Sequence, residues 1–180
     1  MPRLHGYTKK ALIELYTKMV TARRSDEKMM ILLRQGKAFF LTSCAGHEVA
    51  QLAAAQNIKP GVDWSYVYYR DAAFVLGLGT TSREHLLSFL AKKDDPDSGG
   101  RQFPYHFSRK DLRIVSPSSA TGMQYLHAVG AGLAIKWEKS REVVYVSSGE
   151  GTTSQGDFHE ALNWASREKL PVIFHIQDNE

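Results

Sequence analysis

The chain has 180 residues, 43% of them hydrophobic, with a formal net charge of +4 and a single cysteine. That length carries one core of ordinary size, and Cys44 alone excludes a disulfide-stapled scaffold. The basic residues fall in scattered pairs (Arg23-Arg24, Lys92-Lys93, Arg109-Lys110), so nucleic acid is not expected as a partner, and no apolar run is long enough for a membrane span. Met1 to Lys10 is polar and basic with no apolar stretch behind it, so no secretory signal is expected. A cytoplasmic location follows as the expectation, or the mitochondrial matrix for a eukaryotic source.

Leu12, Leu15, Tyr16, Met19 and Val20 recur at helical spacing after Thr8, a candidate N-cap, and predict an amphipathic helix to about Met30. A hinge at Gln35-Gly36-Lys37 follows, then an Ala-rich helix over Gly46 to Gln56 that the Pro60-Gly61 turn closes. A short strand is expected over Ser65 to Tyr69. Helices are expected over Asp71 to Leu78 and over Ser82 to Ala91, with Ser82 as the cap, and Asp94 to Gly100 reads as loop. Met123 to Trp137 reads as a helix rich in small residues, among them Ala128, Gly130, Ala131, Gly132 and Ala134. Glycine inside a helix costs about 1 kcal/mol against alanine. Close approach of a neighbouring backbone is the expected compensation.

The most informative segment comes last. Val143-Val144-Tyr145-Val146 reads as a buried parallel strand running into Gly149-Glu150-Gly151. A helix from about Ser154 to Glu168 and a second buried strand over Val172 to Ile176 complete a β-α-β unit. Glu150 then ends the first strand and Asn179 follows the second. Both stand at the carboxyl edge of a parallel sheet, where open α/β sheets bind ligands.

Rival glycine-loop readings fail on single residues. A P-loop needs Lys where Asp157 stands, the dinucleotide fingerprint needs Gly where Ser154 stands, and a G-x-S-x-G nucleophile elbow needs Gly where Thr152 stands. A carboxylate inside a phosphate loop is repulsive unless a divalent cation lies between them. Magnesium takes hard oxygen ligands, commonly one or two carboxylates plus substrate phosphates. Glu150, Asn179 and a diphosphate match that description, with the helix N-terminus near Ser154 adding free N–H groups. Gln177, ending the second strand, is a further candidate for the diphosphate.

The run from Gly149 to Asn179 resembles the thiamine diphosphate motif, written G-D-G, a long spacer, then N-N. More narrowly, it resembles the alpha subunit of the thiamine-dependent decarboxylating component of 2-oxo acid dehydrogenase complexes. Glu in place of Asp at 150 is closer to the branched-chain branch of that family than to the pyruvate branch, and Asp178 replaces the usual first Asn. The resemblance implies magnesium at Glu150 and Asn179, with the cofactor's diphosphate beside Gly149, Gly151 and Thr152. Tyr69-Arg70-Asp71 resembles the family's Y-R-[ED] element, whose Tyr and Arg contact the cofactor. Gly100-Arg101-Gln102-Phe103-Pro104 with His106 resembles its G-R-Q-x-P-x-H segment near the active-site entrance. The stretch Ser118 to Gln124 resembles the S-S-P-L-x-T-Q loop, which implies contact with the aminopyrimidine ring through Ser119 and Thr121. Ala120 and Met123 replace Pro and Thr there, which argues against the potassium ion that some members bind.

The resemblance implies a thiamine diphosphate-binding α/β fold, a parallel sheet flanked by helices with a helical segment in front. Residues 1–180 are expected to form one such domain, helical over 1–60 and α/β over 61–180, incomplete at its C-terminus. The family's third magnesium ligand and a catalytic His loop fall beyond Glu180, so no catalytic residue is assigned and the fragment alone is not expected to turn over. The implied reaction is oxidative decarboxylation of a 2-oxo acid, branched-chain favoured, with acyl transfer to a lipoyl carrier. Implied partners are a beta subunit or beta domain, a lipoyl-bearing acyltransferase and the small 2-oxo acid. The competing readings are a pyruvate or acetoin dehydrogenase alpha subunit, and a non-catalytic piece that binds a partner through its small-residue helix. Structural roles are expected for Cys44, His159 and His175, and a helix-dipole role for Glu48. His106 is equally a candidate for the active site and for a structural hydrogen bond.

Overall fold

The computed structural model describes residues 6–179, so part of the polar start from Met1 to Lys10 lies outside it. In chain order the helices are α1 (Lys9–Arg34), α2 (Glu48–Ala55), α3 (Ala72–Leu78), α4 (Ser82–Phe89), α5 (Met123–Glu138) and α6 (Gly156–Glu168). The strands are β1 (Trp64–Tyr66), β2 (Ile114–Val115), β3 (Val144–Gly149) and β4 (Val172–Gln177). They form one parallel sheet in the order β2-β1-β3-β4. The fold is α/β, as the β-α-β pattern required.

Strand alternation sorts the core onto two faces. Val144 and Val146 point toward α5 and α6, where they bury Tyr125, Ala128, Ile135, Ala161 and Ala165. Tyr145 points the other way and stacks on Phe74 of α3, ring centroids 4.0 Å apart, in a cluster that also takes in Met29 of α1 and Leu52 of α2. Burying each of these large side chains is worth about 1.5–3 kcal/mol. β3 is therefore buried over its whole length, and its end is a fixed platform.

Several boundaries differ from the sequence expectation, each for a local reason. α1 runs on to Arg34 before Gly36 turns it with φ of 70°. α2 begins at Glu48, whose carboxylate accepts from the Gly46 N–H at 2.8 Å and from Arg23 Nε at 2.6 Å, so it serves an ion pair as well as the helix start. The cap of α4 is Thr81, not Ser82. Thr81 Oγ1 accepts from the Glu84 N–H, and Glu84 Oε2 accepts from the Thr81 N–H at 2.7 Å, a reciprocal capping box. β1 stops at Tyr66 because the next residues turn back, the Asp71 N–H donating to the Tyr68 carbonyl. α6 begins at Gly156, not Ser154, since Glu150–Ser154 forms a 3-10 segment and Gln155 is extended.

Among the described residues β4 lies at the edge of the sheet, where the sequence pattern predicted a buried strand: Ile173 is 45% exposed and only Gln177 is fully covered. His175 is accordingly half-buried and shares a hydrogen bond with the Tyr145 hydroxyl at 2.6 Å. The two-residue β2 gives no pattern long enough to read in sequence. On α5, a Cβ on Gly132 would come within 2.7 Å of Val172 Cγ2, so close approach explains that glycine, though to a side chain of β4 and not to a backbone. Gly130 faces open space.

Candidate functional site

Three segments meet at the carboxyl edge of the sheet: the Tyr68–Asp71 turn after β1, the Gly149–Ser154 loop after β3, and the end of β4. Gly149 lies directly opposite Gln177, so Glu150 and Asp178 follow at the same level and Asn179 one residue further. Glu150 and Asn179 are both exposed there. The register delivers both predicted metal-binding residues to one edge.

Beneath them lies a buried polar network. Gln177 Nε2 donates to Asp71 Oδ1 at 2.5 Å, and Gln177 Oε1 accepts from Gln51 Nε2 at 2.8 Å. Gln51 Nε2 also donates to the Arg70 carbonyl, while Gln51 Oε1 accepts from the Ala73 and Phe74 N–H groups. The second Asp71 oxygen accepts from the Ser147 hydroxyl and from the Tyr68 N–H. Burial raises the Asp71 carboxyl to about 6, against the donors that favour its charged form. Both ends of the Gln177 amide are thus occupied inside the protein. This corrects the expectation that Gln177 faces the diphosphate: a side chain 2% exposed and bonded at both ends holds the site from below.

Above the network lie the groups that face the cavity. Arg70 rests against the Tyr68 and Tyr69 rings, 5.8 and 5.6 Å from their centroids, and donates to the Tyr68 hydroxyl at 3.3 Å. Burial pushes that hydroxyl's pKa up. Among the described residues Arg70 forms no ion pair, so its guanidinium fork is available to an anion. It lines a cavity of about 230 Å³ together with Tyr69, Thr121, Gly149, Glu150, Gly151 and Thr152. A second cavity of about 230 Å³ adjoins it through Tyr69 and Thr121 and is mostly aromatic, with Phe40, Tyr68, Phe103 and Tyr105 in its wall and Ser119 and His106 at its polar side. One chamber suits an anion and its counter-cation, the next an aromatic or aliphatic group.

The donor set fits magnesium diphosphate on its chemistry. Among the described residues no group of three or more His, Cys, Asp or Glu could hold a metal alone. One carboxylate, one amide oxygen and an unpaired guanidinium are what a phosphate-bridged magnesium asks of a protein. A Cβ at Gly151 would meet nothing within 4 Å, so the loop is open on that side. Because α6 starts later than expected, the N–H groups nearest the loop belong to the 3-10 segment, whose first turn lacks intrahelical acceptors.

The structure therefore groups Tyr69, Arg70, Thr121, Gly149, Glu150, Gly151 and Thr152 around one cavity and puts Ser119 in the wall of the next. Gln51, Asp71 and Ser147, which sequence reasoning did not single out as site residues, hold the floor. Phe40 and Tyr105 were also missed; their aromatic character was visible, but nothing local ties them to Tyr69. Cys44 is fully buried, as expected of a small apolar group, and His159 is exposed on α6.

A family model described as dehydrogenase E1 component matches residues 16–180. The chain is 45% identical over 175 residues to the 2-oxoisovalerate dehydrogenase subunit alpha of Bacillus subtilis (strain 168), covering 97% of this chain and 53% of that protein. It is 34% identical over 172 residues to the pyruvate dehydrogenase E1 component subunit alpha of Staphylococcus aureus (strain Mu50 / ATCC 700699), covering 96% and 44%. It is 32% identical over 167 residues to the mitochondrial 2-oxoisovalerate dehydrogenase subunit alpha 2 of Arabidopsis thaliana, covering 93% and 35%. The chain thus spans about half or less of the length of these curated relatives.

Proposed function

The chain belongs to the dehydrogenase E1 component family, and from that premise we propose that it is the cofactor-anchoring part of a 2-oxo acid dehydrogenase alpha subunit. In this reading Arg70 and the Gly149–Thr152 loop hold the diphosphate of thiamine diphosphate. Glu150 and Asn179 supply magnesium with a carboxylate and an amide oxygen. Tyr69, Ser119 and Thr121 line the path from the diphosphate to the rings. When bound, the cofactor supplies the electron sink for decarboxylation. The chain's own groups anchor it, shield it from water with Phe40, Phe103 and Tyr105, and orient it from a rigid floor.

The observation that carries this reading is the pairing of two cavities through Tyr69 and Thr121, one polar and one aromatic. The reaction proposed is oxidative decarboxylation of a branched-chain 2-oxo acid with acyl transfer to a lipoyl carrier. A beta chain or domain would complete the active site, and a lipoyl-bearing acyltransferase would take the product. The preference for a branched-chain acid rests on the higher identity to the 2-oxoisovalerate dehydrogenase subunit alpha of Bacillus subtilis than to the pyruvate dehydrogenase one.

The test is an assay of the full natural chain, assembled with its beta partner, for 2-oxo acid-dependent reduction of an artificial electron acceptor. Expected is thiamine diphosphate- and magnesium-dependent turnover with a higher kcat/KM for 2-oxoisovalerate than for pyruvate. A higher value for pyruvate would overturn the branched-chain assignment, and no cofactor dependence would overturn the enzyme reading.

A further inference from the structure

His106 stands in the wall of the aromatic cavity, on the loop after Pro104-Tyr105. Its Nδ1 faces two carbonyl oxygens, that of Phe103 at 3.0 Å and that of Pro104 at 3.3 Å. A carbonyl oxygen offers only lone pairs, so Nδ1 carries the hydrogen. In the neutral ring Nε2 is then a bare acceptor. Ser119 Oγ lies 2.7 Å from Nε2, so the serine hydroxyl is the donor of that bond. Two backbone carbonyls thereby decide, through one imidazole, which way a serine proton points.

The consequence falls on the cavity. With its proton directed to His106, Ser119 Oγ presents only lone pairs to a ligand. A ligand group that meets it must donate. We propose that His106 is a positioning residue that fixes Ser119 as a hydrogen-bond acceptor, so that the cavity selects a heteroaromatic ring bearing an amino group over the same ring bearing a carbonyl at that position. This rests on the thiamine diphosphate reading, in which the ring at Ser119 is a 4-aminopyrimidine. An oxo ring would set lone pairs against lone pairs, and Ser119 cannot turn its proton without breaking the bond to His106. Gln124, also in the wall, cannot substitute, because its amide is occupied by the Gly122 N–H and the Ser147 carbonyl.

Two measurements on the full natural protein test this. Nitrogen-15 NMR of the His106 ring, without ligand, should show hydrogen on Nδ1 and a hydrogen-bonded acceptor at Nε2, with Ser119→Ala moving the Nε2 resonance. A ring protonated on Nε2 overturns the proposal. Affinities are then compared for thiamine diphosphate and its 4-oxo analogue, each with magnesium. The unmodified protein should prefer the amino compound by up to about tenfold, the usual effect of one mismatched hydrogen bond. His106→Gln, whose side-chain oxygen can still take the serine proton, should keep that preference. His106→Leu frees the hydroxyl to rotate and donate, and should narrow it. A purely structural role would weaken both compounds alike, so an unchanged ratio in His106→Leu overturns the proposal. Binding of neither compound overturns the cofactor reading and the selection with it, and the tautomer, read without ligand, tells that failure from failure of the pair.

Discussion

Arg70 and Asp71 are neighbours in sequence and opposites in the site. Asp71 is wholly buried, with both oxygens accepting from Gln177, Ser147 and Tyr68. Arg70 has no ionic partner among the described residues and faces an open cavity. The same contrast repeats on β4, where Gln177 is 2% exposed and Asn179, two residues on, is exposed. Burial divides the polar residues of this edge into those that hold the platform and those left to bind. Residue type does not make that division, since an amide and a charged group fall on each side.

The contrast is sharpened most by Asp71→Leu. It strands three buried donors and is expected to lower the unfolding free energy by about 3 kcal/mol or more in urea titration. A carboxyl raised from 3.8 to about 6 stabilises the fold while protonated. Its contribution is complete below the ordinary value and is lost as pH rises through about 6. The penalty of Asp71→Leu should therefore shrink between pH values below 3.8 and above about 6; a penalty that grew with pH would contradict the assignment. Arg70→Ala should do the reverse. Stability should change by less than about 0.5 kcal/mol, while titration calorimetry should show thiamine diphosphate binding weakened about ten- to a hundredfold, as for a lost charge-assisted bond. Equal losses in both properties would erase the division between floor and rim.

The smallest effects concern α5, where the same distinction separates two glycines. Gly132→Ala drives a Cβ into Val172 and is expected to destabilise by about 1–3 kcal/mol. Gly130→Ala meets nothing and should stabilise by up to about 1 kcal/mol through helix propensity. Thermal unfolding of the two variants reads the difference directly.

The parts legible in the sequence were those coded over short spans. The β-branched run into Gly149, the strand after α6 and the register that aligns Glu150 with the Asn179 end all follow from local periodicity and length. The role of Gln177 was not legible, because its partners Asp71 and Gln51 lie 106 and 126 residues away. A strand-end amide reads the same whether it meets a ligand or a buried carboxylate. The edge position of β4 was hidden for a related reason: Val172-Ile173-Phe174 is as apolar as a central strand, and only its neighbours decide. The late start of α6 turned on Gln155, an ordinary residue in sequence whose extended backbone separates the 3-10 segment from the helix. The pairing of His106 with Ser119 also needed the fold, which joins residues 13 positions apart across β2.

In the proposed function Glu150, Asn179 and Arg70 hold a metal-bridged diphosphate. The most direct test is a thermal shift of this chain with thiamine diphosphate alone, with magnesium alone, and with both. A ligand that binds only the folded state raises apparent stability by mass action. The expected result is a rise that requires both components and that Glu150→Ala abolishes. An equal rise with thiamine diphosphate alone, or one that persists in Glu150→Ala, would contradict it.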